Sequence, residues 1–122
     1  MKADWIAAGA VWGFLGVLLG AFGAHGLELS PEAEEWWKTA TLYHLIHAPL
    51  LVVGGLLRND GRLGKAPLAF ILGGSFIFSG TLYAMALGAP RFLGAITPIG
   101  GLGLLLGWAG IALASARRAA RP

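Results

Sequence analysis

Two stretches of this chain carry no charge over lengths that match a lipid bilayer. Trp5–Ala24 runs 20 residues without Asp, Glu, Lys or Arg, and Pro98–Ala116 runs 19. At about 1.5 Å per residue, each makes a helix of about 30 Å, the thickness of the hydrocarbon core. Inside hydrocarbon every backbone N–H and C=O must be satisfied within the protein, which leaves helices or closed barrels. Thr39–Leu57 and Pro67–Gly88 are also charge-free over the same kind of length. Hydrophobic residues make up 57% of the chain and charged residues 12%, against about 45–50% and about 25% in soluble domains. The sequence predicts an all-α integral membrane four-helix bundle, one domain over 1–122, with spans at about 5–25, 39–57, 67–88 and 98–116. A secretory leader is the competing reading of the first run. That run is longer than the usual apolar region of about 7–15 residues, and further spans follow it.

Glycine punctuates these runs at helical spacing. Gly9, Gly13, Gly16, Gly20 and Gly23 form one stripe, and Gly100, Gly103, Gly107 and Gly110 form another. Small residues let helix backbones approach closely in membranes, so both stripes are expected to be packing faces. Gly73, Gly80 and Ala84 share a face of the third span.

The connections carry the start and stop signals. Ser30-Pro31 fits a helix cap and first helical position, with Glu32, Glu34 and Glu35 at the positive end of the dipole. Pro31–Lys38 reads as a short acidic interfacial helix leading into the second span. Trp36 and Trp37 are expected at headgroup level. Pro49 falls inside the second span and predicts a kink. Asn59-Asp60-Gly61 marks a turn, Arg91 lies in a short interfacial turn, and Thr97-Pro98 repeats the cap-plus-proline start.

Basic residues divide unevenly between the two ends. With four spans, Lys2, Arg58, Arg62, Lys65, Arg117, Arg118 and Arg121 share one side, and Lys38 and Arg91 the other. Seven against two is a positive-inside bias that puts both termini in the cytoplasm. The formal net charge is +3, but the cations sit only between and after the apolar runs, so no nucleic-acid partner is expected. The expected partners are the bilayer, a second copy, or a larger membrane complex. The absence of cysteine excludes disulfides, thiolate metal sites and a cysteine nucleophile.

Chemistry concentrates in Thr39–Pro49, TATLYHLIHAP. Polar residues inside a span usually face the bundle interior and need a partner. His44, His47, Leu51 and Gly54 fall on one helical face. By topology His25, Tyr83 and Thr97 reach the same half of the membrane, the outer half, with Ser79 one turn from Tyr83. His25, His44, His47, Tyr83, Thr97 and Ser79 are therefore the candidate ligand pocket. No cofactor is implied, although His25, His44 and His47 would be the ligands if a haem iron or divalent metal were bound. The plainer alternative is that each histidine bonds a carbonyl freed by Pro49 or a hydroxyl such as Thr81 or Tyr83. No GxSxG elbow accompanies Ser79, and no phosphate-cradling loop occurs, so no catalytic residue is assigned.

Four ordered motifs resemble a known family. GAFGAHGL (Gly20–Leu27), WKTATLYHLIH (Trp37–His47), SGTLY (Ser79–Tyr83) and LGAITPIGG (Leu93–Gly101), followed by Gly107-Trp108, are similar to the small bacterial membrane proteins of the YgdD/YwdK type. Those form a domain of unknown function with a distant animal mitochondrial relative. The resemblance implies four spans in a bacterial inner (plasma) membrane and supplies no reaction. A non-enzymatic packing or accessory protein is the expected role. A small-solute or proton-linked transporter or channel, and a haem- or metal-binding redox protein, are the alternatives.

Overall fold

The structure, a computed structural model, describes residues 3–122. Lys2, one of the cations in the charge bias, lies outside the described residues. Helix α1 spans Trp5–His25 and opens on Asp4, whose carboxylate accepts from the Ala7 N–H at 2.9 Å. Helix α2 spans Pro31–Asn59. Ser30 Oγ accepts from the Ala33 N–H at 3.2 Å and Pro31 opens the helix, as the sequence suggested. The acidic segment and the second span form one unbroken helix, and Pro49 lies on its exposed side. A tight turn follows, with Gly61 at φ +71°, where a side chain would be strained. Helix α3 spans Lys65–Ala86, Gly88 turns the chain at φ +105°, and Arg91–Ala95 forms a single 3₁₀ turn. Helix α4 spans Thr97–Ala119. All four are long and apolar enough to cross a membrane.

Helix α1 packs on α2, α2 on α3, and α4 on α3, with no extensive interface between α1 and α4 among the described residues. The central pair is therefore α2 and α3, and α1 and α4 flank it. The glycine stripes make these contacts close. A methyl group on Gly9 would sit 2.8 Å from the Val52 nitrogen and 2.9 Å from the Ala48 carbonyl oxygen. Gly16 lies against Leu45 and His44, Gly20 against Thr41, and Gly23 against the indole of Trp37. Gly13 is looser, with Ala48 Cβ 3.5 Å from a notional methyl. On α4, Gly100 and Gly103 meet the α3 backbone, Gly107 meets Ile71, and Gly110 meets Pro67.

The face carrying Gly73, Gly80 and Ala84 does not meet another helix at its glycines: methyls on Gly73 and Gly80 would find open space. The α3 glycine that meets α4 is Gly74, where a methyl would lie 2.7 Å from the Gly100 carbonyl oxygen. Trp37 is not an interfacial anchor. It is buried, its indole N–H donates to the Leu19 carbonyl at 2.9 Å, and Gly23 leaves room for the ring. Trp36 is half-buried, with the Arg91 guanidinium 5.4 Å above its ring. Arg91 also pairs with Glu32, joining the 3₁₀ turn to the start of α2.

Candidate functional site

Two polar networks cross the bundle at α2, one centred on each of its histidines. His44 is fully buried. Its ring stacks on Trp12 of α1, with centroids 3.8 Å apart. Its Nε2 lies 2.7 Å from the Trp12 carbonyl oxygen and its Nδ1 lies 3.0 Å from the Tyr83 hydroxyl of α3. A carbonyl only accepts, so Nε2 carries the proton and Nδ1 of the neutral ring accepts from the phenol. The Tyr83 oxygen also lies 3.2 Å from Thr41 Oγ1. Trp12 completes the crossing, since its indole N–H donates to Ser75 Oγ of α3 at 2.8 Å. Trp12 thus binds α2 through its carbonyl and ring face, and α3 through its indole nitrogen.

His47 is also buried but reaches α4. Its Nδ1 lies 2.6 Å from the Tyr43 carbonyl oxygen, one turn back on its own helix. Its Nε2 accepts from the Trp108 indole N–H at 3.0 Å. The proton of His47 therefore sits on Nδ1, the opposite tautomer to His44. The carbonyls that take up the two rings belong to Trp12 and Tyr43, not to the Leu45 carbonyl that faces Pro49 across one turn.

The other candidates are dispersed. Ser79 is buried and donates to the Ala40 carbonyl at 2.8 Å, tying α3 to α2. Thr97 does not cap α4. Its hydroxyl lies 2.6 Å from Thr81 Oγ1 and 3.1 Å from the Leu93 carbonyl oxygen, a tie between α3 and α4. His25 stands exposed at the end of α1 while the other two histidines are buried. The six candidates thus do not line one cavity. The Trp12 ring covers His44, and His47 turns toward α4.

The same geometry bears on a metal or haem. Both ring nitrogens of His44 and of His47 already have partners. Among the described residues no group of three or more His, Cys, Asp or Glu side chains gathers as a metal site would need. Every buried side-chain nitrogen or oxygen among them has a hydrogen-bond partner. The spacing of His44 and His47 could be read from the sequence, but Trp12 and Trp108 could not be assigned to them, because those partners come from other helices.

A half-open groove of about 770 Å³ lies between α1 and the first half of α2. Gly20, Gly23, Leu27, Glu28, Trp37 and Thr41 are among its lining residues. Thr41 is the point where this groove touches the His44–Tyr83 network.

A family model described as a protein of unknown function (DUF423) matches residues 19–101. The UPF0382 membrane protein SERP0230 of Staphylococcus epidermidis is 41% identical over 113 residues, covering 90% of this chain and 93% of its own. The UPF0382 membrane protein YwdK of Bacillus subtilis is 38% identical over 117 residues, covering 92% and 95%. A UPF0382 membrane protein of Haemophilus influenzae is 40% identical over 119 residues, covering 94% and 95%. No solved structure matches the chain.

Proposed function

We propose a structural, non-enzymatic role for this chain, which belongs to the DUF423 family of membrane proteins of unknown function. In this reading it is a small packing or accessory protein of the inner membrane, with both termini in the cytoplasm. One observation carries it: every buried side-chain nitrogen or oxygen among the described residues has a hydrogen-bond partner, and His44, His47, Ser75, Ser79 and Thr97 each bond a helix other than their own. The orientation rests on charge. Arg58, Arg62, Lys65, Arg117, Arg118 and Arg121 lie at the end where α1 starts and α4 ends, and Lys38 and Arg91 stand at the other. The outer helices turn large apolar faces outward, such as Val17 on α1 and Leu105 on α4, both more than 60% exposed. A partner membrane protein or a second copy would pack there. Photo-crosslinking residues placed at Val17 and Leu105 in native membranes test this. A discrete protein adduct at either position is expected, and lipid adducts alone at both would overturn the accessory role.

A second reading has a specific observation behind it. The α1–α2 groove is lined in part by Thr41, which lies within hydrogen-bonding distance of Tyr83, whose hydroxyl in turn meets His44. A small solute seated there would couple to a titratable group, as a proton-linked transporter requires. Reconstituted vesicles that show protein-dependent proton flux, lost in His44→Gln, would favour it over the structural role.

A further inference from the structure

The end of the bundle where α1 starts and α4 ends carries a further groove with a strongly cationic lining. Arg58 and Arg62 come from the end of α2 and its turn, and Arg117, Arg118 and Arg121 from the end of α4. These five arginines, drawn from sequence segments more than 50 residues apart, line one space of about 440 Å³. Among the described residues none of the five lies within ion-pair distance of a carboxylate. Asp60, in the same turn, is exposed and forms no such pair. A topology signal needs only cations on the right side of the membrane; it does not need them gathered around one cleft.

A second cleft of about 380 Å³ adjoins the first. It shares Arg62, Leu63, Ala114 and Arg118 with the arginine groove and extends along Leu57 and Ile111. The joined clefts therefore set unpaired arginines beside an aliphatic wall of Leu57, Leu63, Ile111 and Ala114, with Ser115 next to it. Cations beside such a wall suit a phospholipid, the phosphate on the arginines and an acyl chain along the wall. Guanidinium binds phosphate oxygens through two parallel N–H bonds, and basic pockets between membrane helices take anionic headgroups. A phosphodiester carries a single negative charge, so five arginines match a headgroup with more than one phosphate.

We propose that these joined grooves bind one anionic phospholipid carrying two phosphodiesters, with the phosphates on Arg58, Arg62, Arg117, Arg118 and Arg121 and an acyl chain along Leu57, Leu63 and Ile111. The site is independent of the role assigned to the histidines.

The test is native mass spectrometry of the purified full chain in non-ionic detergent, titrated with diphosphatidylglycerol, phosphatidylglycerol or phosphatidylcholine. One diphosphatidylglycerol per chain is expected, bound more tightly than phosphatidylglycerol, with phosphatidylcholine weakest. Each cation lost near an anionic headgroup is worth about fivefold, so R62Q/R118Q should weaken diphosphatidylglycerol binding roughly 25-fold. R62K/R118K keeps the charge but loses the fork, and should weaken it by a smaller factor, on the order of threefold. That variant carries the test if R62Q/R118Q does not fold. Lys38→Gln, at the opposite end, should leave binding unchanged. Equal retention of phosphatidylcholine, or unaltered binding in both double variants, would overturn the proposal. So would displacement of the lipid by an equal concentration of inorganic pyrophosphate, which would assign the groove to a soluble phosphate.

Discussion

Gly9 and Gly13 are one helical turn apart on the same stripe and look interchangeable in sequence, yet the structure assigns them opposite responses to alanine. At Gly9 the new methyl would stand 2.8 Å from the Val52 nitrogen and 2.9 Å from the Ala48 carbonyl oxygen, where ordinary contact begins near 3.4 Å. Those are backbone atoms and cannot rotate away. Helices α1 and α2 would have to part by about 0.6 Å, the difference between 3.4 and 2.8. A gap of that size forfeits roughly a quarter to a half of each dispersion contact along the seam. Overpacking of this kind costs about 1–3 kcal/mol, offset by up to about 1 kcal/mol of helix propensity. At Gly13 the nearest atom is Ala48 Cβ at 3.5 Å, so the methyl adds contact without overlap. Gly13→Ala should be neutral or stabilising by up to about 1 kcal/mol. The assay is reversible unfolding in mixed sodium dodecyl sulfate and non-ionic detergent micelles, followed by far-UV circular dichroism. The predicted order is Gly13→Ala, wild type, Gly9→Ala, with the two variants about 1–3 kcal/mol apart. Equal midpoints for the two variants, or a larger loss at Gly13, would refute the packing argument.

Three further outcomes follow from the contacts. On α3, Gly74→Ala should destabilise like Gly9→Ala, because its methyl meets the Gly100 carbonyl and the Leu104 nitrogen, while Gly80→Ala should not; the same unfolding titration separates them. Tyr83→Phe removes the donor to His44 Nδ1 and should cost about 1 kcal/mol, within the range of about 0.6–2 found for hydrogen bonds between membrane helices. Trp108→Phe removes the indole bond to His47 and should cost a similar amount, with proteolysis or hydrogen exchange localising the loosening to α4 rather than α1.

The span count was legible because hydrocarbon tolerates so few alternatives: charge-free runs of bilayer length leave only helices or a barrel. The helix start at Ser30 was legible from local chemistry, a side-chain oxygen and the first free N–H groups. Pairings between helices were not local and were not legible. Gly73 and Gly74 are neighbours in sequence, and only the rotation of α3 against α4 decides which of them must stay bare. Trp37 carries the same residue type as an interfacial anchor, and its burial depends on Gly23 and Leu19 of another helix. His44 and His47 do share the buried face of α2. Their side chains diverge because Trp12 approaches from α1 and Trp108 from α4, and neither tryptophan announces its partner in the sequence. The expected pocket dissolves into separate helix-to-helix ties for that reason.

The two buried histidines tie α2 to α1 and α3 through His44 and to α4 through His47. The imidazole nitrogen spectrum tests this most directly. In a sample labelled with ¹⁵N at histidine and held in bilayers at pH 7, His44 and His47 are assigned by single substitution. Locking by the bonds described predicts two neutral rings in opposite tautomers: His44 protonated at Nε2 and His47 at Nδ1. Tyr83→Phe should perturb the His44 signals alone, and Trp108→Phe those of His47 alone. Two rings of the same tautomer, or signals averaged by exchange between tautomers as in a free imidazole, would contradict the account.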